Sequence, residues 1–186
     1  MFKGTSASAG IGIGKAVIVE EAELVITRNE VADAEAEIQR FKGALEKTIA
    51  ATQKMADDLA SRVGEKEAEI MQGHMMLLSD PMLTGEIENS VKNDKVNCEF
   101  AIENVCNMYA DMFASMGDEL MQQRATDMRD IKVRMQRTLM GLESVDVSLL
   151  PKGSILVAKD LTPSMTAGIN PENVSGIVTE LGGKTS

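Results

Sequence analysis

The run with the strongest chemical flavour in this sequence is Glu180-Leu181-Gly182-Gly183-Lys184-Thr185-Ser186. Paired glycines followed by lysine and two hydroxyls are the ingredients of a phosphate-cradling loop, since glycine lets backbone amides approach an anion closely. The spacing does not fit a nucleotide loop, which needs its first glycine at position 178, where Val178 stands. Gly10-Ile11-Gly12-Ile13-Gly14-Lys15-Ala16 fails in the same way. Ala9 and Ala16 occupy the positions of the leading glycine and the hydroxyl, and Lys15 stands where a dinucleotide fingerprint needs its third glycine. The single imidazole, His74, lies in Gln72-Gly73-His74-Met75. It has no serine or cysteine nucleophile placed beside it by spacing, so the sequence reads it as a buried or partner-facing helix side chain.

The remaining chemistry is sparse. Cys98 and Cys106 are the only cysteines. On one helix they stand about 12 Å apart along the axis, too far for a disulfide, which points to reduced thiols and a cytoplasmic protein. Two cysteines and one histidine make a zinc site a poor expectation, so no metal ligands are assigned within the chain. The formal charge of −10, concentrated between residues 30 and 142, argues against nucleic acid and anionic membranes and allows a basic protein partner. No apolar run approaches a membrane span. The glycines and Lys15 break up any signal-peptide core at the start. Only 3% of residues are aromatic while 14 are Met, so the core must be aliphatic and methionine-rich.

The elements that position these residues are of two kinds. Val17, Ile18 and Val19 read as a buried strand. From Asp33 the apolar period becomes helical, through Ile38, Phe41, Leu45, Ile49, Met55, Leu59 and Val63, with Gly64 as the expected C-terminal cap. Further helices are predicted over 66–78, 81–93, 97–116 and 118–140. Asp80-Pro81 and Asn97 start two of them and Gly141 ends the last. Ala101, Ile102, Val105, Tyr109, Met112 and Met116 form the apolar face of the fourth. The short connections imply mainly antiparallel neighbours. After Pro151 the pattern is strand, short helix, strand, a parallel α/β unit. The expected architecture is α+β: an all-α bundle (30–142) inserted into an α/β domain made of residues 1–25 and 143–186. That domain has about three strands and looks truncated.

These pieces together resemble enzyme I of the bacterial phosphoenolpyruvate-dependent sugar phosphotransferase system. The resemblance runs in collinear order through GTSASAGIGIGKA, EAEIMQGHMMLLSDPML, QRATDMRDIKVRMQRTLMG, ILVAKDLTPSMTAGI and GIVTELGGKTS. It implies a phosphohistidine (swivelling) domain with an inserted helical domain that docks the carrier protein HPr. In that family Gly-Gly-x-Thr-Ser precedes the histidine that takes the phosphoryl group from phosphoenolpyruvate and passes it to HPr. The chain stops at Ser186, so the resemblance makes it an N-terminal piece of such an enzyme. The piece would lack the histidine and so be inactive, retaining docking. It would also lack the C-terminal barrel that binds phosphoenolpyruvate and Mg2+ and makes the parent a homodimer, so the piece is expected to be a monomer.

Carried over by position, Thr166, Gly182, Gly183, Thr185 and Ser186 would support the active loop. Glu65, Met76, Leu77, Leu83, Phe113, Met116, Leu120 and Arg124 would contact HPr. From spacing alone, bundle core is the competing reading for the apolar members of that set. For Thr166 it is a hydroxyl bonded to its own helix. A non-enzymatic helical adaptor is the rival reading of the whole.

Overall fold

The computed structural model describes residues 4–182. The elements run in the order β1 (Lys15–Val19), α1 (Ala34–Arg62), α2 (Glu65–Leu78), α3 (Pro81–Asp94), α4 (Cys98–Ser115), α5 (Glu119–Met140), a 3-10 turn (Val147–Leu149), β2 (Ser154–Ala158), α6 (Pro163–Gly168) and β3 (Val174–Thr179). The chain divides into two compact units. One is Glu23–Ser144; the other combines the chain before Glu23 with the chain after Ser144.

The helical unit owes its start and stop points to local chemistry. Asp33, Asp80 and Asp118 each accept a hydrogen bond from a backbone N–H of the first turn that follows, at 3.0, 2.8 and 2.9 Å. Pro81 occupies the first turn of α3. Gly141 ends α5 in the left-handed conformation, φ 66°. Two expectations need correction. Val63 rather than Gly64 is the C-cap of α1. Gly64, at φ 144°, joins the two helices: its N–H donates back to Leu59 and its carbonyl accepts from Ala68. The Asn97 side chain does not cap α4; its oxygen accepts from the Asn29 amide instead. The α4 terminus is satisfied from α1, where the Glu37 carboxylate accepts from the Cys98 N–H at 2.8 Å.

The bundle core joins Ile38 and Phe41 of α1, Leu78, Leu83, Ile87, Val91, Ile102, Met128, Ile131 and Met135, with Cys98 and Cys106 buried among them as free thiols. Burial pushes the Cys106 thiol up to about 12, and burial together with Glu37 also raises Cys98, so both are unreactive. The threonines of α1 turn their hydroxyls inward. Thr48 and Thr52 donate to Ala44 and Thr48 carbonyls of their own helix, and Arg134 of α5 donates to Thr52 at 2.7 Å. Near the N-terminus of α4, Arg40 donates to both Glu37 and Glu99. Hydrogen bonding from Arg40 holds Glu37 below the usual carboxylate range. Burial works to raise Glu99, but Arg40, its own backbone amide and Asn97 outweigh it, leaving Glu99 lowered too. A cavity beside this cluster is lined from both ends of the unit, by Val25, Ile26 and Thr27 and by Met140.

In the other unit the three strands form one parallel sheet in the order β1-β2-β3, with β2 central. Leu156, Val19, Val147, Leu150 and Ile169 make a small core on one face. The expected burial of β1 is therefore only half right: Val19 is buried, but Ile18, on the opposite face of an edge strand, is 67% exposed. The Gly10–Gly14 run has a steric purpose. A Cβ at Gly12 or Gly14 would collide with the carbonyl oxygens of Ser175 and Gly153 respectively.

Candidate functional site

At the carboxyl edge of the sheet, the loops following β2 and β3 meet. Glu180 and Leu181 donate from their amides to the carbonyls of Ala158 and Lys159, at 3.1 and 2.8 Å. Ligands of parallel α/β sheets bind outside this edge, where strands end and helix termini begin. Thr162 opens α6 there, its hydroxyl accepting from the Met165 amide. Thr166 is exposed, and its hydroxyl donates to the Thr162 carbonyl at 3.0 Å, the helix-internal bond that spacing alone favoured. Gly182 adopts φ 109°, a turn that other residues rarely adopt. Gly183, Thr185 and Ser186 lie outside the described residues.

Apart from Glu65, which lies at the start of α2, the proposed partner contacts fall at the end of the bundle where α2 and α4 finish and α3 and α5 begin. Met76 is 71% exposed at the end of α2; Met116 and Leu120 are exposed across the α4–α5 connection. Neighbouring contacts draw the four helix ends together. The Gln122 side chain donates to the Ala114 carbonyl, and Tyr109 of α4 sits beside Phe113, Glu86 and Asp80. Slight burial and those two carboxylates raise the Tyr109 phenol. Glu65 is exposed at the first residue of α2. Leu77 and Phe113 are half-buried against the core.

Leu83 requires a correction: at 2% exposure it is a core residue. It lies between the exposed Met82 and the next helical turn, pointing inward with Ile87 and Val91. It therefore supports this surface from beneath. Conversely, Met112, expected on the apolar face of α4, is exposed along with Met82. The apolar stripe of α4 runs past the point where neighbouring helices cover it.

His74 is fully buried, with Nε2 3.2 Å from Asp127 Oδ1 and Nδ1 3.8 Å from Asp130 Oδ2. The other Asp127 oxygen lies 3.6 Å from Arg124 Nη1. Arg124, Asp127 and Asp130 follow at three-residue steps on α5, so they share a face toward α2. That spacing was the available signal; sequence reasoning assigned a role to Arg124 and missed the two aspartates. Among the described residues, no group of three or more His, Cys, Asp or Glu side chains is arranged to hold a metal ion.

Comparison with known proteins gives concordant likenesses. Residues 3–124 match the family described as PEP-utilising enzyme, N-terminal, and residues 150–186 match PEP-utilising enzyme, mobile domain. The whole chain is 39% identical to a phosphoenolpyruvate-protein phosphotransferase of Bacillus subtilis and 41% identical to one of Listeria monocytogenes. The chain spans about a third of the length of these curated relatives, 32% in both cases. Among solved structures, the solution structure of an Enzyme I protein (nEIt) superposes with TM-score 0.89 at 37% identity, covering all of this chain and 76% of that one. The N-terminal domain of Enzyme 1 - Nitrogen superposes with TM-score 0.68 at 25% identity, covering 97% of this chain and 74% of that one.

Proposed function

The chain belongs to the PEP-utilising enzymes of the enzyme I type, and from that premise we propose that its helical unit docks a phosphocarrier protein, HPr, for a phosphoenolpyruvate-protein phosphotransferase. The supporting observation is the exposed apolar end of the bundle, where Met76, Met116 and Leu120 stand open beside Arg124. An apolar centre rimmed by charge is the usual composition of a protein interface. Flexible methionines suit a partner that must be engaged and released. Glu65 would meet a basic side chain of the carrier. The assembly would work in the cytoplasm, and no helix among the described residues is long and apolar enough to cross a membrane.

In the α/β unit, the loop after β3 would present Gly182 and the following residues to the phosphoryl-bearing histidine. Thr166, one turn into α6, would give up its internal hydrogen bond to orient that ring. Phosphoenolpyruvate and Mg2+ would be held by the C-terminal barrel of the full enzyme. The chain's one histidine, His74, is sealed inside the bundle. Incubated with phosphoenolpyruvate and a complete enzyme I, this chain therefore stays unlabelled; acid-labile phosphate on His74 would contradict that.

Titrating isotope-labelled HPr with the chain tests docking. Resonance shifts are expected, weakened by Met76→Asp and by Leu120→Asp without loss of helical signal. Absence of any shift at about 1 mM would overturn the reading, since even weak contacts register at that concentration.

A further inference from the structure

We propose that Gly73, His74 and Asp127 are positioning residues that seat the Arg124 guanidinium at the margin of the docking face, and that this seat is needed for carrier affinity. The proposal rests on the docking reading above. A Cβ built on Gly73 would stand 2.8 Å from Arg124 Nη1, and the three nearest atoms it would meet beyond its own stretch of helix all belong to Arg124. The space a side chain would take on α2 is filled by the guanidinium from α5.

Asp127 holds that group from its own helix at 3.6 Å, and is itself held from behind. An ionised carboxylate only accepts, so the His74 Nε2–H donates to it at 3.2 Å. His74 is fully buried, which fixes the carboxylate as firmly as the bundle core is fixed. Its Nδ1 has no hydrogen-bond partner and faces Asp130 at 3.8 Å. The imidazole thus spends its one hydrogen bond on Asp127. The sequence places these groups consistently: Gly73 and His74 are adjacent on α2, and Arg124 and Asp127 are one turn apart on α5.

The outcome is an arginine with much of its rotamer freedom already removed and about a third of its side chain, 34%, left open. A free arginine loses that freedom only when it binds, which weakens the complex. A seated one presents its planar fork in a fixed direction, suited to an oxyanion on the partner.

The test is a double-mutant cycle on the whole chain, read by titration with purified HPr and by thermal melting of the helical signal. Gly73→Ala should keep or raise the melting midpoint, because alanine is the better helix former and only the end of Arg124 must move. It should nevertheless weaken HPr binding about tenfold, as Arg124→Gln should. The double variant should bind no more weakly than Arg124→Gln alone, because Gly73 acts through Arg124. Unaltered HPr affinity in Gly73→Ala, or losses that add in the double variant, would overturn the proposal. If Gly73→Ala lost its cooperative melt, the shape-preserving Asp127→Asn would carry the same cycle with the same two outcomes. A parent chain that does not bind HPr would instead defeat the docking reading, an outcome distinct from normal binding by the variants.

Discussion

The two units of this chain solve the problem of standing up in different ways. The helical unit buries a cluster of sixteen residues, fifteen from its five helices and Val96 from the α3–α4 connection. Among the described residues, the core cluster of the α/β unit holds five, on a three-stranded sheet, and Ile18, Ile177 and Val178 of its edge strands are exposed. A core of five residues gives little margin over the entropy of ordering the chain, whereas a cluster three times larger can carry functional compromises at its surface. The bundle contains such compromises: an unpaired imidazole nitrogen in its interior and a row of exposed methionines at one end. The contrast separates a rigid platform from a lighter unit that carries a loop.

The largest expected effect tests the platform. Phe41→Ala should destabilise the bundle by about 3–5 kcal/mol, read by denaturant unfolding of the helical signal. Leu156→Ala, at the centre of the sheet, should leave that helical midpoint almost unmoved while lowering protection of amides in β2. If both variants shift the helical midpoint equally, the two units are one cooperative body and the contrast fails.

Next comes the Arg40 cluster. Arg40→Met leaves Glu37 and Glu99 facing each other without their shared cation, and should cost about 1–2 kcal/mol after allowance for partial exposure. This contribution also depends on pH. The folded state holds Glu37 and Glu99 below their unfolded values, so their stabilisation is fully present above about pH 4.5. It is lost as the pH falls through the lower folded values. Acid titration of the helical signal should therefore show a steep loss that is blunted in Arg40→Met; parallel acid curves would remove the cluster from the account.

Smaller still, Asp33→Ala should cost the bundle about 1 kcal/mol by removing the cap of α1, measured by the same unfolding curve. The smallest effect is expected where the platform meets solvent. Leu120→Ser should change stability by no more than about 0.5 kcal/mol, and a larger loss would mean that this leucine is structural.

Much of this arrangement was legible because it is local. Asp80-Pro81 and Gly141 announce helix ends through chemistry confined to one turn, and the switch from helical to strand period after Pro151 marks the change of unit. What periodicity cannot convey is which neighbour covers an apolar face. Leu83 and Met82 are adjacent and similar in hydrophobicity, yet one is core and the other surface, because α3 has only one covered side. Ile18 was misread for the related reason that an edge strand of a thin sheet has a covered face and an open one. The Glu37 contact to the α4 terminus crosses 61 residues, and no local rule points to it. At the candidate site, resemblance singled out Arg124. Asp127 and Asp130 were not singled out, because charged residues on a helix are usually solvated and nothing in the sequence says that α2 lies against them.

The cavity lined by both Val25 and Met140 has a consequence for how the chain folds. β1 must pair with β2 in register, Lys15 opposite Ser154, across a chain separation that contains the entire bundle. Closing so long a loop from the unfolded state is entropically slow. The bundle, whose helices meet their neighbours in sequence, brings its own two ends to the walls of one cavity as it forms. Once it has done so, the effective loop between β1 and β2 is only the short stretches outside it. Folding should therefore be ordered, with helical signal arriving first and protection of the β1–β2 amides following as a separate, slower phase.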